Sequence, residues 1–562
     1  MKTLILFFSV LICSLLLSIS GYSQTQQWAV TQDFSPFEIL ENALVDNSGN
    51  SYLCGETIIS GGAYRSMYIS KYNTAGTFQW GKSLKGVYFG IANNRGTNAY
   101  TSVLDNSGNV YVAGTSDSSF SANKGYIAKF NPNGDSLWCT YAGVNDTIGF
   151  VEWYSMKIDN SGNLYVAGLN FKSNFTVRTY IVAKYNSSGI LQWVKNQYPP
   201  LMRSTRRTGF TLQLDNANNV YIASSLQKSL GTSTSDFYVF KLNNAGSFQW
   251  SATYNGPADQ EDYVSSMVLD ASGNVYVEGT RTSPTPVFSE MTCIKYNGST
   301  GAQQWLYRAN SVDSSGFHTA RNIAVGINND VYLTGSVNQD ANGYENGVLI
   351  KLNATSGVET WRRYLKSANN GIDEYNDVKV LLSGFIYAIG VSNNNAPSCA
   401  VITKRYNLAG DSLSAATYPA GSVSNMIPKF VMPSNGSTLY ISGDNSSSGS
   451  TSDVFIVKYG VTTGITPVPN VTPDNFSLSQ NYPNPFNPST VLSYQLSVSG
   501  YVSLKVYDLN GKEVANLVNE NQQAGRYELN FDAGKYSLSS GIYFYKINAS
   551  GFTDTKRMIL VK

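Results

Sequence analysis

The chain has 562 residues, a formal charge of +2, 14% charged residues and a single histidine. That length exceeds what one hydrophobic core supports, so more than one domain is expected. So weak and balanced a charge gives no field to gather nucleic acid or an acidic membrane surface, and no nucleic-acid partner is expected.

At the start of the chain, Lys2 precedes an apolar run from Leu4 to Ile19, and Gly21-Tyr-Ser23 supplies the small residues of a cleavage site. Residues 1–23 therefore read as a secretory signal peptide. No later segment approaches the ~20 apolar residues of a membrane-spanning helix. Cys54, Cys139, Cys293 and Cys399 lie beyond the signal peptide, without Cys-x-x-Cys spacing or a histidine cluster. They are expected as free, buried thiols, and neither a metal site nor a cofactor is expected.

From residue 24 to residue 460 one phrase recurs about every 55 residues. Its clearest copy is Leu104-Asp-Asn-Ser-Gly-Asn-Val-Tyr-Val-Ala-Gly114, followed by Tyr126-Ile-Ala-Lys-Phe-Asn131 and Leu137-Trp138. The tyrosine recurs as Tyr52, Tyr111, Tyr165, Tyr221, Tyr276, Tyr332, Tyr387 and Tyr440. The lysine recurs as Lys71, Lys129, Lys184, Lys241, Lys295, Lys351, Lys404 and Lys458. A period of this length, built from short strands and Gly-rich turns, predicts an all-β architecture, an eight-bladed β-propeller of four-stranded units. Asp-x-Ser-Gly-Asn reads as the hairpin between strands one and two, with Gly at a positive-φ position.

The eighth unit ends at Lys458-Tyr459 without a fourth, Trp-bearing strand, whereas Gln27-Trp28-Ala-Val appears at the start of the mature chain. Residues 25–32 are thus expected to complete the last blade and remove its open edge. The seventh unit has Ser414 where Trp is expected, and units six to eight lose the turn aspartate. A seven-bladed ring with an eccentric tail is the alternative. The phrase as a whole resembles the bacterial β-propeller repeat called SBBP, a likeness that speaks to fold and not to activity.

Residues 461–474 are rich in Thr and Pro and read as a stiff linker. Residues 475–562 read as a small β-sandwich, with strands expected at 491–496, 501–507, 512–517, 525–531, 541–547 and 555–561. This stretch resembles the type A C-terminal sorting domain of the type IX secretion system of Bacteroidetes-like bacteria. The likeness rests on Gln480-Asn-Tyr-Pro-Asn-Pro-Phe-Asn-Pro488, Val506-Tyr-Asp508 with Gly511, Ser540-Gly-Ile-Tyr-Phe-Tyr545 and Lys556-Arg-Met-Ile-Leu-Val-Lys562. It implies that the type IX machinery handles residues 475–562. It also implies an extracellular or outer-surface destination, with the passenger released or attached to surface lipopolysaccharide.

The recurrent lysines are expected to lay their stems on a neighbouring blade and reach aspartates at the same sheet edge, with an anion-holding ring as the alternative. Each Asp-Asn-Ser-Gly-Asn turn brings one carboxylate, short of a calcium loop. His318 has no nucleophile motif beside it, so no catalytic residue is assigned. Recognition is expected where loops depart from the repeat. Three connections from a fourth strand to the next first strand carry Tyr88 and Phe89, Trp153 and Tyr154, and Tyr198 with Arg203, Arg206 and Arg207. These eight residues are the candidate ligand site, suited to a glycan or a protein partner. The resulting expectation is a secreted, non-catalytic binding or adhesion module. A polysaccharide hydrolase or lyase and a structural surface-layer component are the competing classes.

Overall fold

The structure, a computed structural model, describes residues 25–32, 38–58, 65–84, 97–119, 122–142, 150–171, 178–197, 209–227, 234–256, 260–284, 287–309, 318–326, 329–338, 345–367, 371–381, 385–392, 399–421, 428–431, 438–447, 451–460, 466–468, 476–481, 484–522 and 525–561. Up to Gly460 these residues form eight four-stranded antiparallel sheets. Blades 1 to 7 occupy 38–84, 97–141, 150–197, 211–254, 262–308, 318–365 and 374–421, with strands in chain order. Blade 8 combines Lys429–Val431, Leu439–Ser447 and Thr451–Gly460 with the N-terminal strand Thr25–Gln32, which pairs with the last of these. Each blade packs on the next and blade 8 packs on blade 1, so the ring has eight blades and closes on its own first strand.

First strands of successive blades contact one another, which places them nearest the axis. Five of the hairpins after them are built alike. In blade 2, Asp105 Oδ1 accepts from the backbone N–H groups of Ser107 and Asn109, both at 2.9 Å. Its Oδ2 accepts from the Asn109 amide at 2.7 Å and the Tyr111 hydroxyl at 3.0 Å. Asp46, Asp159, Asp215 and Asp270 repeat this arrangement. The aspartate thus locks the turn and anchors the buried tyrosine of the second strand.

The glycine that ends Val-Tyr-Val-x-Gly has a different cause. Most first strands carry a β-bulge opposite it, as between Ala99 and Thr101 or between Trp153 and Ser155. The bulge pushes a carbonyl oxygen toward the second strand, and a Cβ on Gly114 or Gly168 would lie 1.8 Å from it. Blade 4 has Ser224 there, and its paired first strand begins only at Thr211, after the bulge position.

Between blades the repeat forms a latch. The lysine of the third strand lies 4.8–5.8 Å from the ring centre of its own blade's tyrosine. The indole N–H of the fourth-strand tryptophan donates, at 3.0–3.3 Å, to a backbone carbonyl in the turn between strands three and four of the next blade. The lysine donates to that same carbonyl in six of these latches, as Lys241 and Trp250 both do to Gly298. In blade 3, Lys184 reaches the side chain of Asn244 instead, at 2.7 Å. The indole also lies flat on the turn glycine, so a Cβ on Gly134 or Gly301 would stand 2.7 or 2.6 Å from it. The lysines therefore reach mainly across the blade interface. Own-sheet aspartates stand further off for Lys129 and Lys241, at 3.8 and 4.0 Å, whereas Lys351 pairs with Asp330 of its own blade at 2.9 Å.

The interface between blades 7 and 8 has no such latch among the described residues. In blade 8, strands three and four come from opposite ends of the chain, so no turn joins them to receive an indole. Correspondingly, the residue opposite Tyr387 in the third strand is Arg405, and the residue opposite Arg405 is Ser414. Lys404 is therefore not the equivalent of the other lysines. The absence of tryptophan in the seventh unit follows from the way the ring is closed.

Beyond the ring, two further four-stranded sheets form the C-terminal sandwich. One orders 466–468, 525–532, 489–496 and 477–478; the other orders 513–522, 500–507, 541–549 and 552–560. Leu492, Tyr494, Val502, Leu504, Val506, Tyr545, Ile547 and Met558 fill its core. Thr466–Val468, read from sequence as linker, adds an edge strand to this sandwich.

Candidate functional site at the mouth of the bore

Of the eight expected ligand residues, Tyr88, Phe89, Tyr198, Arg203, Arg206 and Arg207 lie outside the described residues. Trp153 does not serve that role. It stands inside the first strand of blade 3, fully buried, with its indole against Gly125 of blade 2. The strand begins at Phe150, so alternation turns Trp153 into the blade interface. Tyr154, the next residue, remains half-buried at the bulge.

Tyr154 lies in an arc of rings that the sequence reading did not assemble. Its ring centre is 5.5 Å from Tyr100 of blade 2 and 5.7 Å from Phe210 at the entry of blade 4. Phe210 in turn is 5.8 Å from Tyr180. Tyr100, Tyr154 and Phe210 each stand five residues before a turn aspartate, at Asp105, Asp159 and Asp215. They are therefore one repeat position, carried by the innermost strands of blades 2 and 3 and by the residue just before that of blade 4. The signal was present in the repeat, but only the bulge shows which side of the sheet that position takes. Polar groups fix the hydroxyl ends: the Asn98 amide donates to the Tyr100 hydroxyl at 2.9 Å, and the Tyr154 hydroxyl donates to the Glu152 carboxylate.

The same position in blades 5, 6 and 7 is Ser265, Arg321 and Asn376. Arg321 makes a two-pronged pair with Glu374 of the neighbouring blade, at 2.5 and 3.0 Å, and Asn376 donates to Glu374 at 2.9 Å. Three consecutive blades thus carry aromatic residues at this position and the next three polar or charged ones. The three connections expected to carry recognition feed the aromatic blades, since they lead into 97–104, 150–158 and 211–214.

His318 is buried at the start of the first strand of blade 6, and burial holds its pKa below the ordinary value. Cys54, Cys293 and Cys399 are buried free thiols, whereas Cys139 is exposed on a fourth strand. No helix among the described residues is long and apolar enough to cross a membrane.

Comparison with known proteins places one part of the chain. Residues 480–562 match the family described as secretion system C-terminal sorting domain. This domain marks the chain for handling by the type IX secretion system and for export to the cell surface or the extracellular space. No curated protein matches the chain. Among solved structures it is similar to PorZ, described as an essential bacterial surface component of the type IX secretion system of Porphyromonas gingivalis. That likeness has 13% identity and a TM-score of 0.39, and it covers 93% of this chain and 59% of that one. It is also similar to the β-propeller domain of the Trilobed protease from Pyrococcus furiosus, at 8% identity and a TM-score of 0.37, covering 66% and 94%. A quinohemoprotein alcohol dehydrogenase from Pseudomonas putida gives 12% identity and a TM-score of 0.45, covering 81% and 79%. The chain thus spans 59% of the length of the PorZ chain.

Proposed function

We propose that the protein is an exported surface propeller that acts as a non-catalytic binding or adhesion module, with a glycan as its ligand. The observation that carries this reading is the arc Tyr100, Tyr154 and Phe210, on or just before the innermost strands of blades 2 to 4. Contiguous rings with hydroxyl, amide and carboxylate groups at their edge suit the apolar face and the hydroxyl rim of a sugar. The loops carrying Tyr88, Phe89, Tyr198, Arg203, Arg206 and Arg207 lead toward the same sector and would add contacts above it. After export the C-terminal domain would be removed, and the propeller released or attached to surface lipopolysaccharide. A scaffold of this kind leaves recognition to its mouth, and fold alone does not choose the ligand.

The test is binding of the secreted chain to a broad glycan array, with product analysis of each hit. Tyr154→Ala and Tyr100→Ala should weaken a bound glycan at least tenfold while the thermal midpoint changes little. Product release would move the protein to the class of polysaccharide hydrolases or lyases. Binding that ignores both substitutions would remove the arc from recognition.

A further inference from the structure

At three of the first-strand bulges the residue two places earlier bonds to the bulge residue. Asn98 donates to Tyr100 in blade 2, and Asn376 donates to Glu374 in blade 7. In blade 3 the Tyr154 hydroxyl donates to the Glu152 carboxylate. The pairs follow from alternation, which turns residues i and i+2 to one side of a strand. Their hydrogen-bonding senses differ, and that of blade 3 bears on what the aromatic arc can hold.

The single proton of the Tyr154 hydroxyl is committed to Glu152, so this hydroxyl meets a ligand as an acceptor. A carboxylate accepts at two oxygens and donates at neither, and Tyr154 engages Oε2. No cation pairs with Glu152 among the described residues. Glu152, Tyr154 and Tyr100 are all half-buried, so each keeps some surface, and the two tyrosine rings stand 5.5 Å apart. Beside the two rings lies an edge rich in acceptors and carrying a negative charge. A sugar hydroxyl or an acetamido N–H supplies the donor that such an edge needs. A uronate or a sulfate supplies only acceptors there, and it brings a like charge up to a partly desolvated carboxylate.

We propose that Glu152 determines the class of sugar: the arc takes neutral glycans and rejects uronates and sulfated saccharides. Glu152 does so twice over, by its own charge and by holding the Tyr154 hydroxyl as an acceptor. The proposal rests on the glycan reading of the arc and adds the charge of the ligand to it.

The experiment is calorimetric titration of the full secreted chain at low ionic strength, where charge repulsion is least screened. The probes are neutral oligosaccharides of glucose, mannose and galactose and, for each, the uronate oligosaccharide of the same backbone. The wild type should bind a neutral member at least tenfold more tightly than its uronate counterpart. Glu152→Gln keeps an acceptor for the Tyr154 hydroxyl and removes the charge. It should shrink that preference at least tenfold, mainly by a gain in uronate binding, with the thermal midpoint nearly unchanged. Tyr154→Phe keeps the ring and removes the oxygen, and should weaken the neutral sugar severalfold. A merely structural role for Glu152 would instead lower both affinities together and move the midpoint. Neutral binding that depends on Tyr154 with a preference that Glu152→Gln leaves unchanged would overturn this proposal and leave the glycan reading standing. A wild type that prefers uronates would do the same. Binding of none of these sugars would overturn both.

Discussion

Glu278 occupies a position in the second strand of blade 5 that other blades give to Cys54, Ala113, Ala167, Ala223, Thr334, Ile389 or Ser442. It is fully buried, neither carboxylate oxygen has a hydrogen-bond partner among the described residues, and burial pushes its pKa well above the ordinary 4.5. The side chain is therefore held as the neutral acid, next to Cys293, whose thiol burial and Glu278 also push up. The folded pKa lies above the unfolded one, so the unfolded chain ionises first as pH rises past the ordinary carboxylate value. Stability that Glu278 leaves intact in acid is then lost as pH climbs toward its folded pKa. Replacing it with methionine removes that loss and an unpaired buried acid together. Glu278→Met should be more stable than wild type at pH 7 by roughly 1–3 kcal/mol, with the gain shrinking toward pH 4. Chemical denaturation at the two pH values measures it, and a variant less stable at both would mean that Glu278 has a partner in solution.

The latch is the element that turns eight sheets into one ring. In the latch between blades 4 and 5, Trp250 covers Gly301, which has φ +73° and no room for a methyl group under the indole. Trp250→Ala should cost about 3–5 kcal/mol, as removal of a large buried ring does. Gly301→Ala should cost at least about 1 kcal/mol from backbone strain alone, plus the clash with the indole. In the double variant the clash is gone, so the two losses should fall short of additivity by roughly 1–3 kcal/mol, read from a thermodynamic cycle. Additive losses would show that indole and glycine do not meet in solution. Much of this was legible in the repeat: tyrosine, lysine, tryptophan and the turn glycine all recur at fixed spacing. Their partners were not, because each acts on the following blade and a repeat shows only what lies within one unit. Lys404 shows how little separates the two readings. The phrase Lys-Tyr-Asn of other units aligns with Arg405-Tyr-Asn407, and sheet register chooses the arginine. Trp153 failed for the reverse reason: a one-residue shift across a bulge sends neighbours to opposite faces, so Tyr154 meets the mouth while Trp153 enters the core.

At the scale of the molecule the ring is held unevenly. Among the described residues seven interfaces carry a tryptophan latch, and the one between blades 7 and 8 does not. Blade 8 also depends on a strand from the far end of the chain. Removing residues 25–32 should expose the edge of Thr451–Gly460 and take away Trp28, whose indole bonds to Thr74 of blade 1. Limited proteolysis of that deletion should cut first within blade 8 or at 422–428, whereas the intact chain should resist under the same conditions. Cleavage that starts elsewhere would show that the ring opens at another interface.

Thr25 pairs with Gly460, so a strand near the start of the chain waits for the last residues of the ring. A ribosome delivers these partners at the two ends of a long interval, and every intermediate length presents an unpaired edge. The closing strand therefore works as a completeness check. A propeller broken off early in synthesis keeps an open flank for proteases, and only a chain whose last blade has arrived is sealed before its sorting domain follows.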